Sequence, residues 1–332
     1  SKGFGFLREK SRYIRQISFS KILSHELQEV TLNQNIKNPV FKELSVHKTN
    51  KIIHKLNSLS KYGFSATSLS KYLNNPIEFY YEYILRIPQH IPKTNILNNM
   101  ERGKLIHKTL EKLYGPYLKK QMKTSYYNKI LKKIKSTLLH YFKILYGDKY
   151  DLTGENFLII SAYERAIRLL LNKEKNLIKN NNRLVILHIE KKFKVSLDLK
   201  NEVFLRGKID RIDKLNDRVR IIDYKTGNMD PKYLTCKSDF EHFKGDYKFN
   251  NQFQLLLYLL ALKIEGQEVE NFQAGVISLK SPLKDNIPLK NKLSSKNKGD
   301  NSLDPYVLDE FQLFLKSVIS EIFDKKKSFV SL

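Results

Sequence analysis

A chain of 332 residues can bury a substantial core as one large domain or two ordinary ones, and 41% hydrophobic residues with 19 Tyr and 19 Phe exclude global disorder. Its 60 Lys plus Arg against 34 Asp plus Glu leave a formal charge of +26, which favours polyanions, nucleic acid foremost and an anionic membrane surface second; a lysine-rich composition is the bland alternative. One cysteine, Cys236, excludes an internal disulfide and any four-cysteine zinc or iron–sulfur site, and no signal pattern, membrane-length apolar run or basic amphipathic stretch is present. A reducing, cytoplasmic setting is expected.

The first sixty residues are polar, basic and weakly patterned, and read as a linker or tail beginning away from a natural start. Regular structure is expected from Phe64, where Ser65 or Thr67 can cap a helix through Tyr72, and Ile77 to Leu85 gives a second short one. Ile106, Leu110, Leu113 and Tyr114 carry the spacing of an amphipathic helix over Glu101 to Tyr114. Lys119 to Phe142, strongly basic, and Asn156 to Ile178 read as two helices of an insertion. From Leu184 the pattern turns to β, with strands over Val185 to Val195, Val203 to Asp213 and Arg218 to Lys225. An apolar helix, Phe253 to Ile264, a strand, Phe272 to Leu279, an exposed basic loop, Lys280 to Asp300, and a helix, Asp309 to Phe323, complete an α+β core with helical insertions.

Chemistry concentrates in Gly207-Lys-Ile-Asp-Arg-Ile-Asp213 and Ile221-Ile-Asp-Tyr-Lys-Thr-Gly227. Strand alternation sets Lys208, Asp210 and Ile212 on one face, and Asp223 with Lys225 on one face of the next strand. A two-residue turn at Asn216-Asp217 pairs Leu215 with Arg218, and counting outward places Asp210 opposite Asp223 and Lys208 opposite Lys225. Opposed carboxylates repel, and a cation such as Mg²⁺ or Mn²⁺ reverses that. A lysine two residues from a metal carboxylate can then orient or deprotonate the attacking water, or stabilise charge on the phosphate. An exposed hairpin laced with salt bridges, Lys208 and Arg211 neutralising its acids, fits the same spacing. Tyr224 is expected to face away, into packing, and Asp213 to be a salt-bridge partner.

These two strings resemble the paired central motifs of the PD-(D/E)XK nuclease superfamily, in its RecB/AddB-like branch. Phe64 to Tyr81 is similar to that branch's S-x-L-x-x-Y-x-x-C-P-x-x-F segment, Gly103 to His107 to its G-x-x-x-H helix, and Gln252 to Tyr258 to its Q-x-x-x-Y helix. The resemblance implies a restriction-endonuclease-like core, a mixed sheet flanked by helices, over residues 61 to 332. It implies that Asp210 and Asp223 bind Mg²⁺ or Mn²⁺, that Lys225 is the catalytic lysine, and that His107 is a further ligand or positioning group. Gly103 would leave room for close approach on the His107 face, and Gln254 and Tyr258 would support the lysine and the DNA strand. Glu190 stands where some relatives carry an acid; an exposed strand position explains it equally well, since parity there is undetermined.

The branch's iron–sulfur cluster is not expected, because Asn75 replaces its first cysteine. Leu7 to Gln16 resembles the E-x-S-R-[FY] stretch near the end of helicase-like domains in AddB-type proteins, which implies a helicase-nuclease partner and a role in double-strand-break repair. The chain lacks a G-x-x-x-x-G-K-[ST] loop, so it is not itself an ATPase of that class. The rivals are an inactive DNA-binding scaffold of the same fold and an RNA-binding module using the basic helix and loop.

Overall fold

The computed structural model describes residues 12–19, 44–87, 95–199, 202–236, 239–269, 272–282, 287–291 and 305–331. Two compact units divide the chain at Lys42 and Glu43. In the first, α1 (Arg12–Phe19) is described. The first half of the Leu7 to Gln16 segment lies outside the described residues.

In the second unit regular structure begins earlier than the sequence reading placed it. β1 (Ser45–Val46) pairs with β9 (Phe329–Val330), and α2 (Asn50–Tyr62), capped by Thr49, buries Ile52 and Leu56. The spacing of Ile52, Leu56 and Leu59 is helical, but the lysines and serines between them mask it. α3 (Ala66–Asn74) starts at Ser65 with a capping box closed by Ser68, as the side-chain chemistry of the N-cap dictates. α4 (Pro76–Phe79) runs into a π-turn, Tyr80–Ile84.

α5 (Asn99–Tyr114) has a second capping box, Asn98 with Glu101. α6 (Thr124–Tyr146) begins five residues beyond the predicted start. The preceding stretch instead lies along a strand: Lys119 N–H donates to Ile186 O at 2.7 Å and Met122 N–H to Leu184 O at 2.7 Å. α7 (Gly154–Lys179) follows. β2 (Leu184–Leu197), β3 (Val203–Leu215) and β4 (Arg218–Lys225) come next, then β5 (Thr235–Cys236) and α8 (Asn250–Ile264). β6 (Phe272–Ser278) joins the main sheet, while β7 (Ile287–Pro288) and β8 (Lys290–Asn291) occupy part of the predicted basic loop. α9 (Pro305–Phe323) precedes β9.

The main sheet has the order β2-β3-β4-β6-β7, parallel between β4 and β6 and otherwise antiparallel, so the expected mixed sheet between helices is present. Each face buries its own core. On one, α8 is buried at every position from Leu255 to Leu262, which a helix apolar all round requires, and it packs with α2, α3 and α9 around Ile212, Ile221 and Val276. On the other, α5, α6 and α7 pack around Leu184, Ile186, Ile222 and Tyr224. No helix among the described residues is long and apolar enough to cross a membrane.

Candidate metal centre

The hairpin turn has the predicted register. Leu215 pairs Arg218, and Asn216 holds the left-handed conformation (φ 55°) that asparagine tolerates. Pairing runs outward only to Arg211 and Ile222. The expected Asp210–Asp223 and Lys208–Lys225 pairs do not form as ladder partners, because the Asp210 carboxylate intervenes: its Oδ2 accepts the Tyr224 N–H at 2.8 Å.

Alternation also fails at this point. Ile209 and Ile212, of opposite parity, join the same core, while Arg211 turns to the other face to meet Glu174 and Tyr224. Across from it, β2 shifts register between Ile186 and His188, and Glu190 takes φ 53°, a strained value for a non-glycine residue within a strand. The faces read from simple period-two counting through Asp210 are therefore corrected.

These irregularities gather the site. His107 Nδ1, from α5, lies 3.1 Å from Glu190 Oε1 and 3.2 Å from Asp210 Oδ1, and ligand atoms of all three lie within 4.8 Å of one another. Glu190, read from sequence as no better than an exposed strand residue, is in this group with its side chain 6% exposed. The signal that could have found it, a strand parity, is erased by the two irregularities in β2. Lys208 pairs with Glu190 rather than with Lys225.

Asp223 is fully within the protein, and burial pushes its carboxyl up to about 6, the Lys225 ammonium opposing and Asp210 adding to the shift. Lys225 Nζ is 2.9 Å from Asp223 Oδ2 and donates to Gln254 Oε1 at 2.9 Å. Gln254 in turn donates from Nε2 to the Tyr258 hydroxyl, which orients the amide so that its oxygen faces the lysine. Burial works against the Lys225 charge, but Asp223 and Asp210 prevail and raise its pKa. Likewise burial opposes the His107 charge, and Asp210 with Glu190 overrides it to about 10.

The donor set fits a hard divalent cation. It is dominated by carboxylates, and among the described residues neither Glu190 Oε2 nor Asp223 Oδ2 accepts an aligned hydrogen bond, each facing a lysine ammonium instead.

Other sequence readings fall outside the cluster. Asp213 is held by Arg220 at 2.7 and 3.0 Å and by Arg211 at 2.6 Å, a salt-bridge role as expected. Tyr224 packs away from the acids with its hydroxyl 3.0 Å from Arg211 Nη1. Gly103 does not serve a close approach within the protein: a Cβ built there meets nothing within 4 Å.

Two cavities are lined by several cations. One, about 740 Å³, is lined by Gln254 and Tyr258 together with Lys192, Lys194, Arg206 and Lys208. The other, about 1030 Å³, is bounded by Thr226 and Gly227, just past Lys225, and by Arg102, Arg165 and Lys280. The first presents cations beside Gln254 and Tyr258 of the centre, an arrangement suited to a phosphate backbone.

Comparison with known proteins gives the family. The B subunit of the ATP-dependent helicase/deoxyribonuclease of Streptococcus pyogenes serotype M1 is 27% identical over 233 residues, and so is that of serotype M49 strain NZ131. The match takes in 68% of this chain but 19% of the length of each relative. The family model of the PD-(D/E)XK nuclease superfamily covers residues 63–328, a span that holds every residue of the centre, and the chain belongs to that superfamily.

Proposed function

We propose that this chain is a divalent-metal-dependent deoxyribonuclease, the nuclease part of a helicase-nuclease acting in DNA repair and recombination in the cytoplasm. The observation that carries the reading is the convergence of His107, Glu190 and Asp210 next to an Asp223–Lys225–Gln254 chain of 2.9 Å contacts. Asp210, Asp223 and His107, with Glu190 added by its position, would hold Mg²⁺ or Mn²⁺. Such a cation, when bound, supplies charge neutralisation at the phosphate and activation of water.

The protein's own groups do the rest. Lys225, whose Nζ is 2.9 Å from both Asp223 Oδ2 and Gln254 Oε1, is placed to present positive charge to the phosphate and to orient the attacking water. Gln254 and Tyr258 keep the ammonium aimed, and the lysines and arginines of the two cavities hold the backbone of the DNA. The similarity to the helicase/deoxyribonuclease relatives supports a partner protein and a preceding helicase-like region, to which the N-terminal stretch would be the tail.

Purified protein with Mn²⁺ is expected to degrade a linear DNA oligonucleotide, and Asp223→Ala or Lys225→Ala to abolish this with circular dichroism unchanged. Equal cleavage by the variants would overturn the mechanism. Wild-type protein that binds the oligonucleotide and leaves it intact would identify a scaffold instead.

A further inference from the structure

Behind the acids, on the opposite face of the sheet, lies a second charged cluster that the proposed chemistry does not use. Arg211 is fully buried. Its Nη1 donates to Glu174 Oε1 at 2.7 Å and to the Tyr224 hydroxyl at 3.0 Å, and its Nη2 lies 2.6 Å from Asp213 Oδ2. Glu174 Oε2 accepts the hydroxyls of Tyr114 at 2.7 Å and Tyr127 at 2.9 Å. Arg220 completes the balance by pairing with Asp213.

Burying such charges is a poor route to stability, since apolar residues of similar volume often serve as well or better. The connectivity offers another reason. Arg211 directly follows Asp210 on β3, Tyr224 separates Asp223 from Lys225 on β4, and Tyr114 lies two turns beyond His107 on α5. The β3–β4 ladder stops at Arg211 and Ile222. Beyond that pair the two strands are joined at the site by the Asp210 carboxylate on the Tyr224 N–H and, on the far face, by the Arg211–Tyr224 bond.

We infer that Tyr114, Glu174, Arg211 and Tyr224 form a positioning device that sets Asp210 against Asp223, and His107 against both. The inference rests on the metal-centre reading. Tyr127 reaches the same Glu174 oxygen from α6, a helix that supplies none of the proposed ligands, and is the internal control.

The test is calorimetric Mn²⁺ binding to the full chain without DNA, alongside melting temperature and cleavage at graded Mn²⁺. Groups that orient metal ligands typically change metal affinity about 10–100-fold when removed. Tyr224→Phe is expected to weaken Mn²⁺ binding about tenfold and to regain most cleavage at saturating Mn²⁺, whereas Tyr127→Phe binds Mn²⁺ as the wild type does. Arg211→Met goes further in the same direction if it folds; the tyrosine variants decide the matter if it does not. Unchanged Mn²⁺ affinity in Tyr224→Phe, or equal weakening in Tyr127→Phe, overturns the device while leaving the metal centre standing. Wild-type protein that takes up no Mn²⁺ overturns the metal centre and the inference with it.

Discussion

Asp210 accepts the backbone N–H of Tyr224 at 2.8 Å, so one carboxylate both ends a β-ladder and faces the candidate metal centre. Its two tasks are separable. Asparagine retains an acceptor for that buried N–H, and alanine strands it at a cost of about 1–3 kcal/mol. Chemical denaturation is expected to show Asp210→Ala less stable than Asp210→Asn by that margin, with both variants unable to cleave DNA. Equal stability of the two would remove the structural task from Asp210.

The two glycines flanking the site differ sharply. A methyl group at Gly207 would meet the Phe193 ring at 2.6 Å, and at Gly103 it meets nothing within 4 Å. Phe193 is buried and packs edge-on against Tyr258. Gly207→Ala is therefore expected to lose about 1–3 kcal/mol through overpacking, while Gly103→Ala gains up to about 1 kcal/mol from helix propensity. Urea melts of the two variants read this directly. If Gly103→Ala also raises KM for DNA, the open space above that residue belongs to substrate.

The cationic cavity beside Gln254 predicts salt-dependent DNA binding. Removing Lys192, Lys194 or Arg206 one at a time is expected to weaken DNA binding in Ca²⁺ and to lower the slope of log K against log salt by roughly one for each phosphate no longer neutralised. Binding and slope unchanged in all three variants would assign the DNA to another surface.

Lys48 gives the fold a signature in alkali. It is 5% exposed and donates to Glu321 O at 2.8 Å; burial lowers its pKa from 10.5 to about 8, with Glu321 and Asp324 opposing. Between pH 8 and 10.5 the unfolded chain thus binds the proton that the folded one has released, and this group's contribution to stability rises with pH. The melting temperature of the wild type is expected to gain on that of Lys48→Met between about pH 7 and about pH 9.5. A constant difference would show that Lys48 titrates normally.

Legibility of the sequence followed local regularity. Asn216 and the short turn fixed the hairpin register, the capping chemistry of Ser65 matched the start of α3, and apolar spacing placed α5 within two residues of its start at Asn99. Glu190 was illegible because β2 slips at Ile186–His188 and Glu190 itself turns left-handed, so no parity count crosses that strand. Lys119 to Met122 look helical in composition but are claimed by hydrogen bonds to Leu184 and Ile186. The Glu174–Arg211 link, 37 residues apart in sequence, joins two charged residues of types that sequence reasoning assigns to the surface, and only tertiary packing buries them.

The central claim is a divalent cation among Asp210, Asp223, Glu190 and His107. Anomalous diffraction from crystals soaked in Mn²⁺ tests it most directly. A peak is expected within bonding distance of Asp210 and at least one of the other three at saturating Mn²⁺, absent from Asp210→Asn crystals; no peak there in the wild type, or one that persists in the variant, would contradict the metal centre.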